Sequence, residues 1–241
     1  ENIIDNSNVK LHVFLNKVLK LEPNSNLDIA SAFFNVEGYA LVKENLGNMK
    51  KFRLLLGKTP ELNDNDQTLG KVLLNEIKKE VEGLDLTKEK KDDVSALISF
   101  LKGANVEVRI FDKNLLHGKT YIFDKLIVSG SSNFTHAGLT REGEFNTVQQ
   151  GKMCVDYARN TWFNKFWKDS IDFKDELISL LKNSRFGTEQ YTPFQIYIKS
   201  LYELQKDDIK AEMEEEEKKQ EVSTVSNVEL TEFQHDAVQR V

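Results

Sequence analysis

His117, Lys119, Ser131 and Asn133 fall within seventeen consecutive residues, and their side chains are the types a reaction at phosphorus requires. An imidazole is a nucleophile or general base usable near neutral pH, with an unperturbed pKa of about 6.5. A lysine two residues on supplies a fixed cation. The serine hydroxyl and asparagine amide add donors able to hold charge that develops on phosphoryl oxygens. The full stretch is His117-Gly118-Lys119-Thr120-Tyr121-Ile122-Phe123-Asp124, then a short apolar run, then Gly130-Ser131-Ser132-Asn133. Taken singly, each residue has a plainer reading: Lys119 and Asp124 as a hairpin ion pair, His117 as a packed ring. The set together is the chemistry of a phosphate site.

Several elements must position these groups. Leu115–Phe123 and Leu126–Ser129 are apolar-rich and separated by Asp124-Lys125, which predicts a hairpin. With a side-chain period of two, His117 and Lys119 share one face of its first strand. Gly118 between them is expected to leave room for a substrate or a second backbone. Upstream, Leu27–Phe34 is a short apolar run bounded by polar turns, which predicts a buried strand. Asn35 follows as cap of a helix with Tyr39, Leu41, Val42 and Leu46 inward and Gly47 at its end. Lys51–Leu56 is the next strand, so a parallel β-α-β unit is expected. Val72, Leu73, Leu74, Ile77 and Val81 predict a helical insertion in residues 58–92, over the site or the sheet edge. Asp93–Lys102 is an amphipathic helix ended by Gly103, and Val106–Ile110 a further strand. Residues 7–22 have helical spacing, a strand over Leu11–Leu15 being the alternative, and His12 among them reads as structural. Glu144–Gln149 predicts another strand. In Cys154–Trp167, Val155, Ala158, Trp162, Phe163 and Phe166 lie on one helical face, read as core rather than as a base-stacking surface.

The 241 residues suffice for one substantial domain and something smaller. A single Cys154 allows no internal disulfide, which favours a reducing compartment. No apolar run approaches the roughly 20 residues that span a bilayer, and no signal peptide is visible. The expectation is a soluble cytoplasmic protein with no membrane partner. The formal charge of −6 is unevenly placed: residues 203–221 carry −5 and residues 222–241 carry −2, leaving +1 for residues 1–202. A near-neutral body leaves room for a basic cleft facing nucleic acid.

The order His-x-Lys-x4-Asp followed by Gly-Ser-x-Asn, here His117, Lys119, Asp124, Gly130, Ser131 and Asn133, closely resembles the signature of the phospholipase D superfamily. The interval from Asp124 to Gly130 is one residue shorter than the family usually has. Glu144 falls where many members carry an acidic residue. The resemblance covers roughly residues 25–170 and implies an α/β fold, a mixed β-sheet flanked by helices. It also implies a phosphodiesterase that needs no metal or other cofactor, acting through a phosphohistidine. The implied catalytic set is His117, Lys119, Asn133, Ser131, Glu144 and Asp124, with Lys119, Ser131 and Asn133 on the phosphate. Glu144 could hold the imidazole in the right tautomer, while Asp124, on the opposite strand parity to His117, more readily fixes the hairpin than meets substrate. The family mechanism uses two histidines, and His12, His136 and His235 lack a companion lysine. A homodimer whose two-fold axis brings both motifs together is therefore expected.

The C-terminal part reads differently. Thr192-Pro193-Phe194-Gln195 has the form of a capping box that starts a helix through Ile198, Leu201, Tyr202 and Leu204. That helix runs into the charged Lys206–Glu221, a solvated helical linker. Glu229–Val238 is similar to the opening segment of superfamily 2 helicases, a plain amphipathic helix capped by Thr231 fitting almost as well. The expected division is a nuclease domain over 1–190, a linker over 191–226 and the start of a helicase-like domain over 227–241. Starting at Glu1 and stopping within a helical pattern, the chain is expected to be a piece of a longer protein. Fusions of this order include restriction and phage-defence proteins, so the leading expectation is a DNA endonuclease tethered to a motor. A phospholipase, or an inactive nucleic-acid-binding or dimerisation module of a helicase, are the alternatives.

Overall fold

Ile3–Ile4 opens the chain as a two-residue edge strand, β1. Helix α1 (Leu11–Leu21) buries Leu11, Leu15, Val18 and Leu19, the stripe a helix of period 3.6 turns inward. Helical spacing thus prevails over the strand alternative at Leu11–Leu15. Asn6 fixes its start by accepting from the Leu11 N–H at 2.7 Å and donating to the carbonyls of Gly138 and Arg141. His12 sets its Nδ1 3.3 Å from the Leu139 carbonyl, a packing contact. The coordinates are a computed structural model that describes residues 2–58, 69–187, 197–198, 200–202 and 204–206, with Lys58, Asn114 and Leu115 given by backbone alone. The capping box at Thr192, nearly all of the acidic linker and the helicase-like Glu229–Val238 lie outside the described residues. The chain divides into two units, Glu1–Glu189 and Gln190–Val241.

Strand β2 (Asn26–Ser31) is buried from Leu27 to its end. The Asn35 side chain then accepts from the Gly38 N–H at 2.8 Å and caps α2 (Val36–Ala40). The single helix expected as far as Leu46 is instead two, with α3 at Lys43–Leu46. Asn16 of α1 explains the break: its Nδ2 donates at 2.8 Å to the Leu41 carbonyl, which a continuous helix would offer to Asn45. The Asn45 N–H turns to Val42 O instead. Strand β3 (Lys51–Lys58) runs parallel to β2. Helix α4 (Leu69–Gly83) buries Leu69, Leu73, Ile77 and Val81. Helix α5 (Lys88–Leu101) begins five residues earlier than expected, because Thr87 caps it through the Lys90 N–H. Strand β4 (Val106–Leu115) extends five residues past Ile110, and β5 (Lys119–Ile122) and β6 (Leu126–Gly130) form the hairpin. After α6 (His136–Thr140) and β7 (Asn146–Gln150), the expected single helix over Cys154–Trp167 is three segments. These are α7 (Lys152–Asp156), a seven-residue π-helical turn (Tyr157–Phe163) and α8 (Asn164–Lys168). Strand β8 (Ile171–Asp172) and α9 (Lys174–Asn183) complete the first unit. Helix α4 rests on β4 and α9, at the sheet edge rather than over the hairpin.

The eight strands form one mixed sheet in the order β1-β7-β6-β5-β2-β3-β4-β8, with β2, β3 and β4 parallel and the remaining pairs antiparallel. Alternate residues of each strand face opposite sides, and both sides are covered. Leu27, Ile29, Leu54, Leu56 and Val108 join α1 to α5 and α9 in the larger core. Ala30, Leu55, Phe111, Ile122 and Ile127 join Val155, Phe163 and Trp167 in the smaller one. A mixed sheet flanked by helices is the phospholipase D-like architecture the sequence implies. Among the described residues, no helix is long and apolar enough to cross a membrane.

Candidate active site

Strand register decides which residues can meet. Ala30 of β2 pairs with Thr120 of β5, and Lys119 pairs with Gly130 of β6. The carboxyl end of β2, the start of β5 and the exit of β6 therefore lie together at one end of the sheet. That is the carboxyl end of the parallel strands, where open α/β sheets bind ligands. A bridge between Phe34 and Phe134 ties the two exits, and their rings meet at 5.4 Å.

His117 is exposed and lies in the bridge Leu116–Gly118 that joins β4 to β5, so the first hairpin strand starts later than the hydrophobic pattern predicts. Lys119 is buried, with 6% exposure. Its Nζ lies 3.1 Å from Nε2 and 3.2 Å from Nδ1 of His117, and donates to the His117 carbonyl at 3.0 Å. The two side chains, expected on one face of a strand, are in contact although His117 precedes that strand. Asn133 has a fixed orientation. Its Oδ1 accepts from the Ala32 N–H at 3.0 Å and the Phe33 N–H at 3.3 Å, with the Ser31 hydroxyl at 3.2 Å. Once the oxygen is anchored on the exit of β2, the amide nitrogen must face the other way, as a donor. The phenol of Tyr121, fully buried, donates to the Ser132 carbonyl at 3.1 Å and holds the turn carrying Asn133. Burial, and then the Glu144 charge, push that phenol up, so it remains a donor.

Ser131 and Glu144 meet each other. The Ser131 hydroxyl donates to the Glu144 carboxylate and accepts from the Phe145 N–H at 2.9 Å. The hydroxyl proton is thus committed to Glu144, and direct donation to a phosphate requires that this bond open. Among the described residues, no hydrogen bond joins Glu144 to His117. Asp124 stands elsewhere, at the hairpin turn five residues beyond Lys119, roughly 16 Å along an extended strand. It accepts from the Asn26 N–H at 3.1 Å and pairs with Arg159 at 2.6 Å. Burial acts to raise its carboxyl, but the Asn26 donors and the Arg159 guanidinium outweigh it and hold it below the ordinary value.

Two features were not foreseen. Asp28, 1% exposed, is held by Arg53 at 2.6 Å and Arg159 at 2.7 Å, and Arg159 also donates to the carbonyls of Asn26 and Ile122. Arg53 stacks on Phe163 and Trp167, 4.8 and 5.1 Å from the ring centroids. The available signal was Asp28 itself, an acid inside an apolar strand that demands a cation. The second feature corrects the reading of Gly118. The space its missing Cβ would fill belongs to Trp162, whose Cζ2 and Cη2 would lie 2.7 and 2.9 Å from such an atom. Among the described residues, no group of three or more His, Cys, Asp or Glu side chains could hold a metal ion.

The sheet order, the hairpin and the site at the strand ends define a phospholipase D-like domain. Residues 22–167 match the family described as "Cardiolipin synthase, PLD-like domain", and the chain belongs to that family. No curated protein matches the chain. Among solved structures it is similar to Nuc, a phospholipase D family member of Salmonella typhimurium, at 13% identity over 66% of this chain and 88% of that one, with a TM-score of 0.42. It is similar to NucT from Helicobacter pylori at 16% identity over 66% and 90%, TM-score 0.39. It is also similar to the phosphatidylserine synthase of Haemophilus influenzae at 12% identity over 86% and 46%, TM-score 0.48, so the chain spans about half of that protein.

Proposed function

We propose that the chain is the nuclease domain of a larger protein, cleaving DNA phosphodiesters with no requirement for a metal. The observation that carries this reading is the contact of the buried Lys119 ammonium with an exposed His117 imidazole, at 3.1 and 3.2 Å, on the sheet end where Asn133 is anchored. A ring nitrogen of His117 attacks phosphorus, and the P–O bond to the leaving group breaks. Lys119 and the Asn133 amide hold the charge on the phosphoryl oxygens. The leaving oxygen takes its proton from the second His117, supplied by another copy across a two-fold axis, which then removes a proton from the water that hydrolyses the phosphohistidine. A homodimer completes the site in this scheme. Ser131 and Glu144 act as one unit, the carboxylate holding the hydroxyl ready beside the phosphate. The near-neutral residues 1–202 present no charge barrier to DNA, and the acidic linker with its helicase-like continuation fits a nuclease tethered to a motor in the cytoplasm.

The test incubates the protein with plasmid DNA in excess chelator, beside His117→Ala. Cleavage that resists the chelator and disappears in the variant supports the reading. Cleavage that needs a metal, or that the variant retains, refutes it. A second reading, lipid phosphodiester chemistry, is favoured by the cardiolipin synthase name of the matching family, and headgroup release from phospholipid vesicles under the same conditions would establish it. A chain that binds DNA without cutting it would be the inactive module.

A further inference from the structure

We propose that Trp162, carried on the π-helical turn, is a positioning residue that sets the backbone between His117 and Lys119; the inference rests on the phosphodiesterase reading for its kinetic consequence. His117 lies in the bridge Leu116–Gly118, outside both β4 and β5, so no sheet ladder fixes it. What lies against that bridge is the outer edge of the Trp162 indole. A Cβ on Gly118 would sit 2.7 Å from Cζ2 and 2.9 Å from Cη2, well inside the 3.5–4.0 Å at which carbons rest. Glycine is required there because the indole edge already occupies the volume of a side chain.

The π geometry delivers the ring. Helix α7, the turn Tyr157–Phe163 and α8 are continuous, and the wider turn changes the direction in which successive side chains leave the axis. Arg159 reaches the hairpin turn and β2, binding Asp124 and the Ile122 carbonyl of the first and Asp28 and the Asn26 carbonyl of the second. Phe163 and Trp167 go into the smaller core, and half-buried Trp162 reaches Gly118. Phe166 braces the indole edge-on, centroids 5.4 Å apart and planes at 66°. The turn therefore grips the hairpin through Arg159 and the histidine bridge through Trp162. A reacting group displaced by about 1 Å loses on the order of 100-fold in rate, so the brace acts on kcat, while substrate contacts made elsewhere keep KM.

The experiment compares Gly118→Ala, Trp162→Phe and the double variant on bis(4-nitrophenyl) phosphate. Phenylalanine lacks the outer-ring atoms that Gly118 meets. Gly118→Ala is expected to lose about 100-fold in kcat, and Trp162→Phe about 10-fold with KM within about two-fold. The double variant should recover to within about three-fold of Trp162→Phe, because the smaller ring leaves room for the new methyl. A double variant as slow as Gly118→Ala, or a Gly118→Ala as fast as the parent, overturns the proposal. A readout independent of activity separates it from the parent reading: the His117 ring Cε1–Hε1 resonance. Trp162→Phe should move that resonance more than those of His12 and His136, even if the protein cleaves nothing. An unmoved His117 signal in a folded variant overturns the proposal, while a moved signal with activity that survives His117→Ala overturns only the parent reading.

Discussion

The two ends of the β5–β6 hairpin solve opposite problems with similar residue types. At the strand-exit end, a buried lysine meets an exposed histidine, and an amide anchored by its oxygen keeps its donors for something outside the chain. At the turn end, Asp124, Asp28, Arg159 and Arg53 pair with one another, and the Asn26 and Ile122 carbonyls and the Asn164 side-chain oxygen accept donors that the ion pairs leave over. In the proposed scheme it is the Asn133 amide donors at the first end that a phosphate would take up. At the second end Asp28 and Asp124 are filled by guanidinium and N–H donors, although the neighbouring Glu22 keeps one carboxylate oxygen without a hydrogen-bond partner among the described residues. The His-x-Lys-x4-Asp pattern therefore spans two functions, and its fixed interval is the length of strand between them.

The largest expected effect is at the strand-exit end. His117→Ala should lower phosphodiesterase activity by about 1,000-fold or more, yet shift the unfolding free energy by about 0.5 kcal/mol at most, because the ring is exposed. Asn133→Asp keeps the acceptor for the Ala32 and Phe33 N–H groups and exchanges the donor for a negative charge; a loss of about 100-fold in kcat is expected, with a nearly unchanged melting temperature. Equal destabilisation and inactivation in either variant would break the comparison. At the turn end the signs reverse. Arg159→Met leaves Asp28 with Arg53 alone and Asp124 with the Asn26 donors alone, at a cost of about 3 kcal/mol and roughly 10 °C in melting temperature, while activity measured well below that temperature stays within about ten-fold. A loss matching that of His117→Ala would place the ion-pair end in the chemistry.

This division also explains how far the sequence could be read. The sheet strands were legible because Leu27–Ser31, Lys51–Leu56 and Val106–Ile110 are short apolar runs between turn residues, a signal that survives without knowledge of neighbours. The hairpin was legible from the spacing around Asp124-Lys125. What escaped depends on contacts distant in sequence. Asn16 breaks the helix after Asn35 by taking a carbonyl 25 residues away. No local pattern marks a π turn, since Cys154–Trp167 satisfies the ordinary helical period. The same limit applies at the candidate site: type and order single out His117, Lys119 and Asn133, but Trp162 fills the space beside Gly118 only through the fold. Glu144 was expected at the imidazole and is found holding Ser131, a distinction that spacing alone does not encode.

One acid near each end gives the finest test, because their pH dependences have opposite sign. Glu80 of α4 buries both carboxylate oxygens without a hydrogen-bond partner among the described residues, beside the start of α2 that follows the β2 exit. Burial pushes its carboxyl up to about 7, and the nearby N–H groups of Val36 and Glu37 offset this only in part. Between about pH 4.5, where the unfolded group titrates, and about pH 7, the folded protein binds the extra proton. Stability must therefore fall as pH rises through that window, by up to about 3 kcal/mol, and level off above it. Asp124 behaves in the other direction. Its folded value lies below the ordinary 3.8, so its stabilisation is present above that pH and is lost as pH falls through the folded value. Denaturant unfolding from pH 3 to 8 should accordingly show an acid-side loss that Asp124→Asn removes and a neutral-side loss that Glu80→Gln removes. If Glu80→Gln leaves the slope between pH 5 and 7 unchanged, the carboxyl near the strand-exit end is as well satisfied as the one at the turn, and the contrast between the two ends reduces to His117, Lys119 and Asn133 alone.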